Sequence, residues 1–350
     1  MSSAVEMGIP RLAGVCNLVE SKRTGFSVAE ASLRLRRLAY VKQRLVHLAA
    51  AHLNAAPEWE VKAGLALHAW LDAEHASALR RCVLELREPP ARLEEAPDLK
   101  LAAAVEEALR ARDTLELLAG VYGVLRPVLF EAAERYLRET NPLADHPTCR
   151  LLKLICIEER EAIAWGRAAL DAIAPVGHSD ARARSEGWAA HLASYLAAAG
   201  GVDGTQPAPA KLPPRRATQP FEPDVLPRRD ARFRGLYDTS TPADTVYLDE
   251  SRPGEERNLA LLFKRVREMD VPEVVAGILA QEPGRSWDDA AQLFRQMWDE
   301  ARHALLGEAA LEARGVNWSG CPLTSRSPTS SAASARRSSA TCCSTPSSSR

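Results

Sequence analysis

From residue 27 to about residue 199 the apolar positions recur every three or four residues and almost never alternate. That is the spacing of helices with one buried face. The run opens at Ser27, three residues before Glu30, as in a capping box, and Leu35, Leu38, Leu45 and Leu48 give it one stripe as far as Leu53. Asn54 is placed to cap a second helix with Pro57 in its first turn, continuing to about Glu88 before Pro89 and Pro90 stop it. A third helical tract over 98–139 should kink or break at Pro127. A fourth covers 148–174, with Asp145 and Thr148 as its cap residues, and a short Ala-rich helix near 185–199 follows. Short connections between long helices predict an antiparallel bundle over 27–199, behind an N-terminal segment of residues 1–26.

The pattern then lapses. Residues 200–230 carry seven prolines and few apolar side chains, so a semi-rigid, extended linker is expected over 200–250. Helical spacing resumes in a second unit over 251–318. It holds two shorter helices, the second with Pro272 at its start, and a long one from Trp287 to Arg314 between Ser286 and Gly315. Residues 319–350 cannot build a core; 321–350 alone hold eleven serines, which reads as a disordered tail. A change of reading frame is a second account of this tail. Back-translated with GC-rich codons and read two nucleotides on, Arg337–Ser348 permits Glu-Gln-Arg-His-Val-Leu-Leu-Tyr-Ser-Val-Glu-Gln, which is amphipathic and contains Glu-x-x-His.

Composition narrows the class. Hydrophobic residues at 46% and charged residues at 26% suit a globular protein, and the formal net charge of −1 gives no reason to expect nucleic acid or an anionic membrane as partner. The N-terminus lacks the basic-then-apolar order of a signal peptide, and no apolar stretch reaches the length of a membrane span. The seven cysteines show no Cys-x-x-Cys spacing, and Cys82, Cys149 and Cys156 fall in helical patterns as reduced core thiols. A cytoplasmic location follows as the expectation.

The candidate chemistry is carried by acids and histidines on apolar helix faces. Glu300 and His303 stand three apart, on the side continued by Leu293, Met297, Ala304 and Leu311. A carboxylate and an imidazole fixed side by side on a rigid helix suit a divalent metal ion; an ion pair with Arg302, His303 or a neighbouring helix is the alternative. His68, Asp72 and His75 share a face with Val61, Leu65, Leu79 and Cys82, where burial without a partner is expensive. Glu158 sits in the stripe of Leu151, Ile155, Ala162 and Trp165, and Glu159 lies between Leu152, Cys156 and Ile163. Both need His75, an arginine or a metal inside the bundle. Glu273 opens its helix, where the dipole also favours an acid. Glu116 and Glu131 are weaker candidates, with solvated surface acids the more ordinary reading.

The stretch WDEARHALLGEAALEARG, residues 298–315, resembles the metal-ligand helix of the ferritin-like superfamily of di-metal carboxylate proteins. The helix layout of residues 27–174 is similar to the four-helix core of that superfamily, and residues 251–318 look like part of a second, incomplete unit. The resemblance implies an all-α, ferritin-like fold in which Glu300 and His303 take the Glu-x-x-His role, with Asp72 and His75 as a diverged pair. Glu158 or Glu159, and Glu273, would be the single carboxylates, holding iron or manganese. It implies a metal-binding protein, with an oxidoreductase that activates dioxygen as its enzymatic form and an unspecified small-molecule substrate. The first helix has no acid after Glu30, so one carboxylate of a complete pair is missing. The competing class is a non-catalytic helical scaffold whose buried acids and histidines fix helix register or bind a partner. A homo-oligomer suits either class.

Overall fold

The Ser27 hydroxyl accepts the amide of Glu30 at 3.2 Å, and α1 (Val28–Leu53) follows from that cap. Asn54 does not cap the next helix. It is buried, its backbone carbonyl accepts the amide of Arg228 at 2.8 Å, and α2 (Trp59–Glu85) begins after Pro57. The chain leaves α2 through Arg87, whose φ of 56° ends the helix ahead of the prolines.

The third tract breaks at a point the sequence reading passed over. Asp98 and Asp113 each accept the amide three residues on, at 2.7 and 2.9 Å, and so start α3 (Leu99–Ala108) and α4 (Thr114–Gly120). At Pro127 the helix changes type rather than running on unbroken. A π-helical turn, Val121–Leu125, runs directly into α5 (Arg126–Glu139), so the widened turn lies immediately before the proline, which has no N–H to give it. Tyr122 of that turn packs against Trp165 with ring centroids 5.3 Å apart. It also lies against Gly166, where any Cβ would collide with it. Helix α6 (His146–Ile173) starts two residues earlier than expected. Asp145 does not cap it through its side chain, because its carboxylate accepts the hydroxyls of Tyr136 and Thr140 at 2.8 and 3.0 Å. Helix α7 (Ser179–Ala198) is longer than the Ala-rich segment read from sequence.

Further along are α8 (Ala243–Tyr247), α9 (Gly254–Arg267), α10 (Asp270–Gln281) and α11 (Trp287–Glu312). Ser286 caps α11 by accepting the Asp289 amide at 3.3 Å, and Gly315, at φ 70°, closes it as Val316 donates back to the Leu311 carbonyl.

This computed structural model describes residues 9–89, 91–174, 179–209, 211–224, 226–233, 243–282 and 284–320. Among them the fold is all-α, a helical bundle class with no strand, and no helix is long and apolar enough to cross a membrane. The Ser-rich stretch at 321–350, with its alternative frame and three of the cysteines, lies outside the described residues; Cys16, Cys82, Cys149 and Cys156 are free thiols.

Contacts gather the chain into two compact units: Met1–Arg44 with Glu74–Gln219, and Leu45–Ala73 with Pro220–Arg350. Each unit thus draws on two separate stretches, a division that periodicity along the chain does not reveal. In the first, α4 packs on α6 and α7, α3 on α7 and α5 on α6; in the second, α9 and α10 pack on α11 and α8 on α9. The proline-rich stretch is helix-free over its described residues 205–233. Its first part is fastened to the first unit, where buried Arg37 donates to the carbonyls of Ala199, Gly201 and Val202, and Arg135 pairs with Asp203.

Candidate functional site

In the first unit, helix α6 turns Glu159 inward, and the side chain is 1% exposed. Its Oε1 accepts from Lys42 of α1 and from Arg126 at the start of α5, the latter at 2.8 Å. Lys42 lies on the stripe that joins Leu38 to Leu45 and is itself fully buried. The neighbouring Glu158 carboxylate is paired with His75 Nε2 of α2. The expectation that the two acids of α6 need partners inside the bundle therefore holds, with a histidine, an arginine and a lysine in that role. Ligand atoms of His75 and Glu159 lie within 4.8 Å of one another. Asp72 stands one turn before His75 on α2, and His68 one turn before that; all three are buried. Glu159 Oε2 is buried and accepts no hydrogen bond, which would leave it available to an ion. Lys42 and Arg126 already pair with this carboxylate, which lessens its pull on a divalent ion.

The second unit contains a similar clamp. Glu273 of α10 is buried, with Oε1 accepting from Lys62 at 2.7 Å and Oε2 from Arg229 at 2.7 Å. Arg229 also holds Asp270. Burial pushes the Lys62 ammonium down from its ordinary value against the pull of Glu273. Burial also pushes Asp270 up to about 6, while Arg229 works to lower it. Where a single-carboxylate role was expected, both oxygens of Glu273 are engaged by cations, and among the described residues it joins no carboxylate–histidine cluster.

Glu300 and His303 do meet a third group. On α11 they share one face, half-buried at the edge of the apolar side formed by Met297, Ala304 and Leu311. His303 Nδ1 is 3.3 Å from Glu300 Oε2 and 3.4 Å from Oε2 of Glu268, the residue that terminates α9. Helix packing of α9 on α11 makes this meeting possible. Gly307 of α11 is what allows the approach, since a Cβ there would lie 2.7 Å from the Val266 amide nitrogen. The Glu268 carboxylate is oriented by Arg265 Nη1 at 2.9 and 3.1 Å. Arg302 turns away to Asp299, at 2.8 Å, and leaves Glu300 to the histidine.

Glu268 was not among the candidates read from sequence, because it lies at a helix end within a run of charged residues and nothing local marks it. Glu116, read as a surface acid, is buried and paired with Arg216, whereas Glu131 is exposed as expected. The fit to a metal differs between the two clusters. The ligand atoms of Glu268, Glu300 and His303 all lie within 4.8 Å of one another, and Arg265 pairs with Glu268. No protein-family model, no curated protein and no solved structure matches this chain.

Proposed function

We propose that this chain is a helical metal-binding protein that holds one first-row divalent ion through Glu268, Glu300 and His303. One observation carries the reading: the two nitrogen–oxygen separations of 3.3 and 3.4 Å around His303. They are long for a charge-assisted hydrogen bond, whose ordinary length is about 2.8 Å. Donors held about 2.05 Å from one tetrahedral ion stand about 3.35 Å apart. Two carboxylate oxygens and an imidazole nitrogen suit iron or manganese, with zinc distinguished by the same elemental analysis. Three protein donors leave coordination positions to water or a small molecule, the arrangement of catalytic rather than closed sites. A bound ion of this kind supplies Lewis-acid chemistry and, as iron or manganese, the redox step of an oxidoreductase. Glu268 and Glu300 bring negative charge, His303 a neutral donor, and Arg265 fixes the orientation of Glu268.

The test is metal content after reconstitution, with wild type beside Glu300→Ala/His303→Ala. About one equivalent of iron or manganese, lost in the double variant, is expected; wild type that takes up none, or a variant that takes up as much, ends the proposal.

The clamps around Glu159 and Glu273 favour a second reading, that of a non-catalytic scaffold. Under the ferritin-like resemblance, Lys42, Arg126, Lys62 and Arg229 supply the positive charge that metals would bring to buried acids. On that reading wild type carries no metal, and the four cations act on stability alone.

A further inference from the structure

The proline-rich stretch contains one short motif twice, Leu-Pro-Pro-Arg-Arg at 212–216 and Leu-Pro-Arg-Arg at 226–229. The two copies lie in different units and are disposed alike. In each, the leucine and the first arginine are exposed, a proline is half-buried, and the second arginine points into an acidic pocket of its own unit. Arg229 meets Glu273 and Asp270. Arg216 meets Glu116 through both terminal guanidinium nitrogens, at 2.5 and 3.0 Å, and donates to the Arg110 carbonyl at 3.0 Å.

The pocket for Arg216 is built in three ways. Its guanidinium lies 3.9 Å above the Trp188 ring, which supplies a stacking face. Its backbone N–H donates to Glu107 Oε1 at 2.7 Å, and His191 Nε2 meets the same oxygen at 2.9 Å. Glu107 and Glu116 are both buried, and the guanidinium that reaches Glu116 comes from residue 216. Lys100 and Arg110 then catch the carbonyls of Pro209 and Gln219, at 2.9 and 2.6 Å. Among the described residues between them, only Pro213 and Arg216 are half-buried, three residues apart, which is the period of a polyproline-type strand. Main-chain capture at both ends, a bidentate anchor and an aromatic platform are the parts of a peptide-recognition site.

We propose that the face formed by α3, α4 and α7 is a binding groove for extended, proline-rich peptides carrying an arginine, occupied in the resting chain by its own residues 211–219. The cis segment acts as a tethered competitor, with an effective concentration in the millimolar range. A segment of like chemistry binds in trans once Arg216 is withdrawn.

The experiment is fluorescence anisotropy of a dye-labelled peptide, KLPPRRATQP, titrated with full-length protein carrying Arg216→Ala. Binding is expected, at least tenfold tighter than to wild type. A peptide with its second arginine replaced by alanine should bind at least tenfold more weakly, as should the labelled peptide to Arg216→Ala/Glu116→Gln. No binding to a helical Arg216→Ala protein, or equal binding of the two peptides, overturns the proposal. Arg216→Lys, which keeps the charge and loses the planar fork, is the companion variant with the same readouts. If neither variant is helical alone, refolding Arg216→Ala in the presence of the peptide should restore helicity; failure of that rescue also overturns it.

Discussion

Replacing Glu159 by glutamine removes one negative charge and leaves two buried cations facing each other. The Arg126 contact at 2.8 Å corresponds to about 6 kcal/mol of attraction at an effective dielectric of about 20. Part of that is offset, because the glutamine carbonyl still accepts one hydrogen bond. Breaking a buried ion pair by deleting one partner costs about 3–5 kcal/mol, and Lys42 and Arg126 share the same oxygen. Glu159→Gln is therefore expected to lose about 4 kcal/mol, a large part of a total stability of about 5–15 kcal/mol. For a unit of this size that is a fall in Tm of about 8–16 °C. Urea unfolding followed by circular dichroism gives the number directly. The triple variant Lys42→Met/Arg126→Met/Glu159→Leu should regain most of the loss, since a well-packed apolar replacement of a buried ion cluster is often neutral. A loss under about 1 kcal/mol for the single variant at an unchanged m-value, or a triple variant no better than the single, would refute the account of the clamp.

Three further outcomes are expected. Gly307→Ala places a Cβ 2.7 Å from the Val266 amide nitrogen and 2.9 Å from Arg265 Cβ, so α9 must shift, at about 2 kcal/mol; an unchanged melting temperature would contradict that packing. Burial raises the thiols of Cys149 and Cys156 to about 11, so iodoacetamide at pH 8 should leave both unmodified in the folded protein and label both in urea; rapid labelling of the native chain would contradict it. Asp270, raised to about 6 by burial from the 3.8 of an exposed aspartate, stabilises the fold below about pH 4, and that contribution is lost as the pH rises through about 6. Asp270→Asn should gain on wild type steadily over that interval in unfolding measurements, and parallel pH profiles would contradict the assignment.

The helices were legible wherever the sequence carries punctuation: Ser27 with Glu30, Ser286 before Trp287, Gly315 after the last turn. The break before α4 carried the same kind of signal, Asp113 three residues ahead of Glu116, but the charged run around it masked the cap. In the candidate site, Glu300 and His303 were readable because helix geometry alone makes positions three apart neighbours. Glu268 arrives from another helix, and only tertiary packing brings it in. The core cations were missed because charged residues are presumed solvated, yet Lys42 sits four residues after Leu38 and three before Leu45, squarely on the buried stripe. A lysine in that register signals an internal acid partner. Arg229 lies in the proline-rich stretch, where periodicity says nothing about burial.

The discontinuous make-up of the second unit has a consequence for synthesis. Leu45–Ala73 leaves the ribosome early, and the whole of Glu74–Gln219 must be translated before the rest of that unit begins to emerge. At about 5–20 residues per second, those 146 residues take roughly 7–30 seconds. Over that interval Leu53, Trp59 and Leu65, all nearly fully buried at the end, wait as a bare apolar face. Helix formation takes about a microsecond, so α1 and α2 are ready long before their cover arrives. The nascent chain thus carries the first part of this unit uncovered while 146 of its 350 residues are made, and a product halted before residue 220 lacks the rest of the unit.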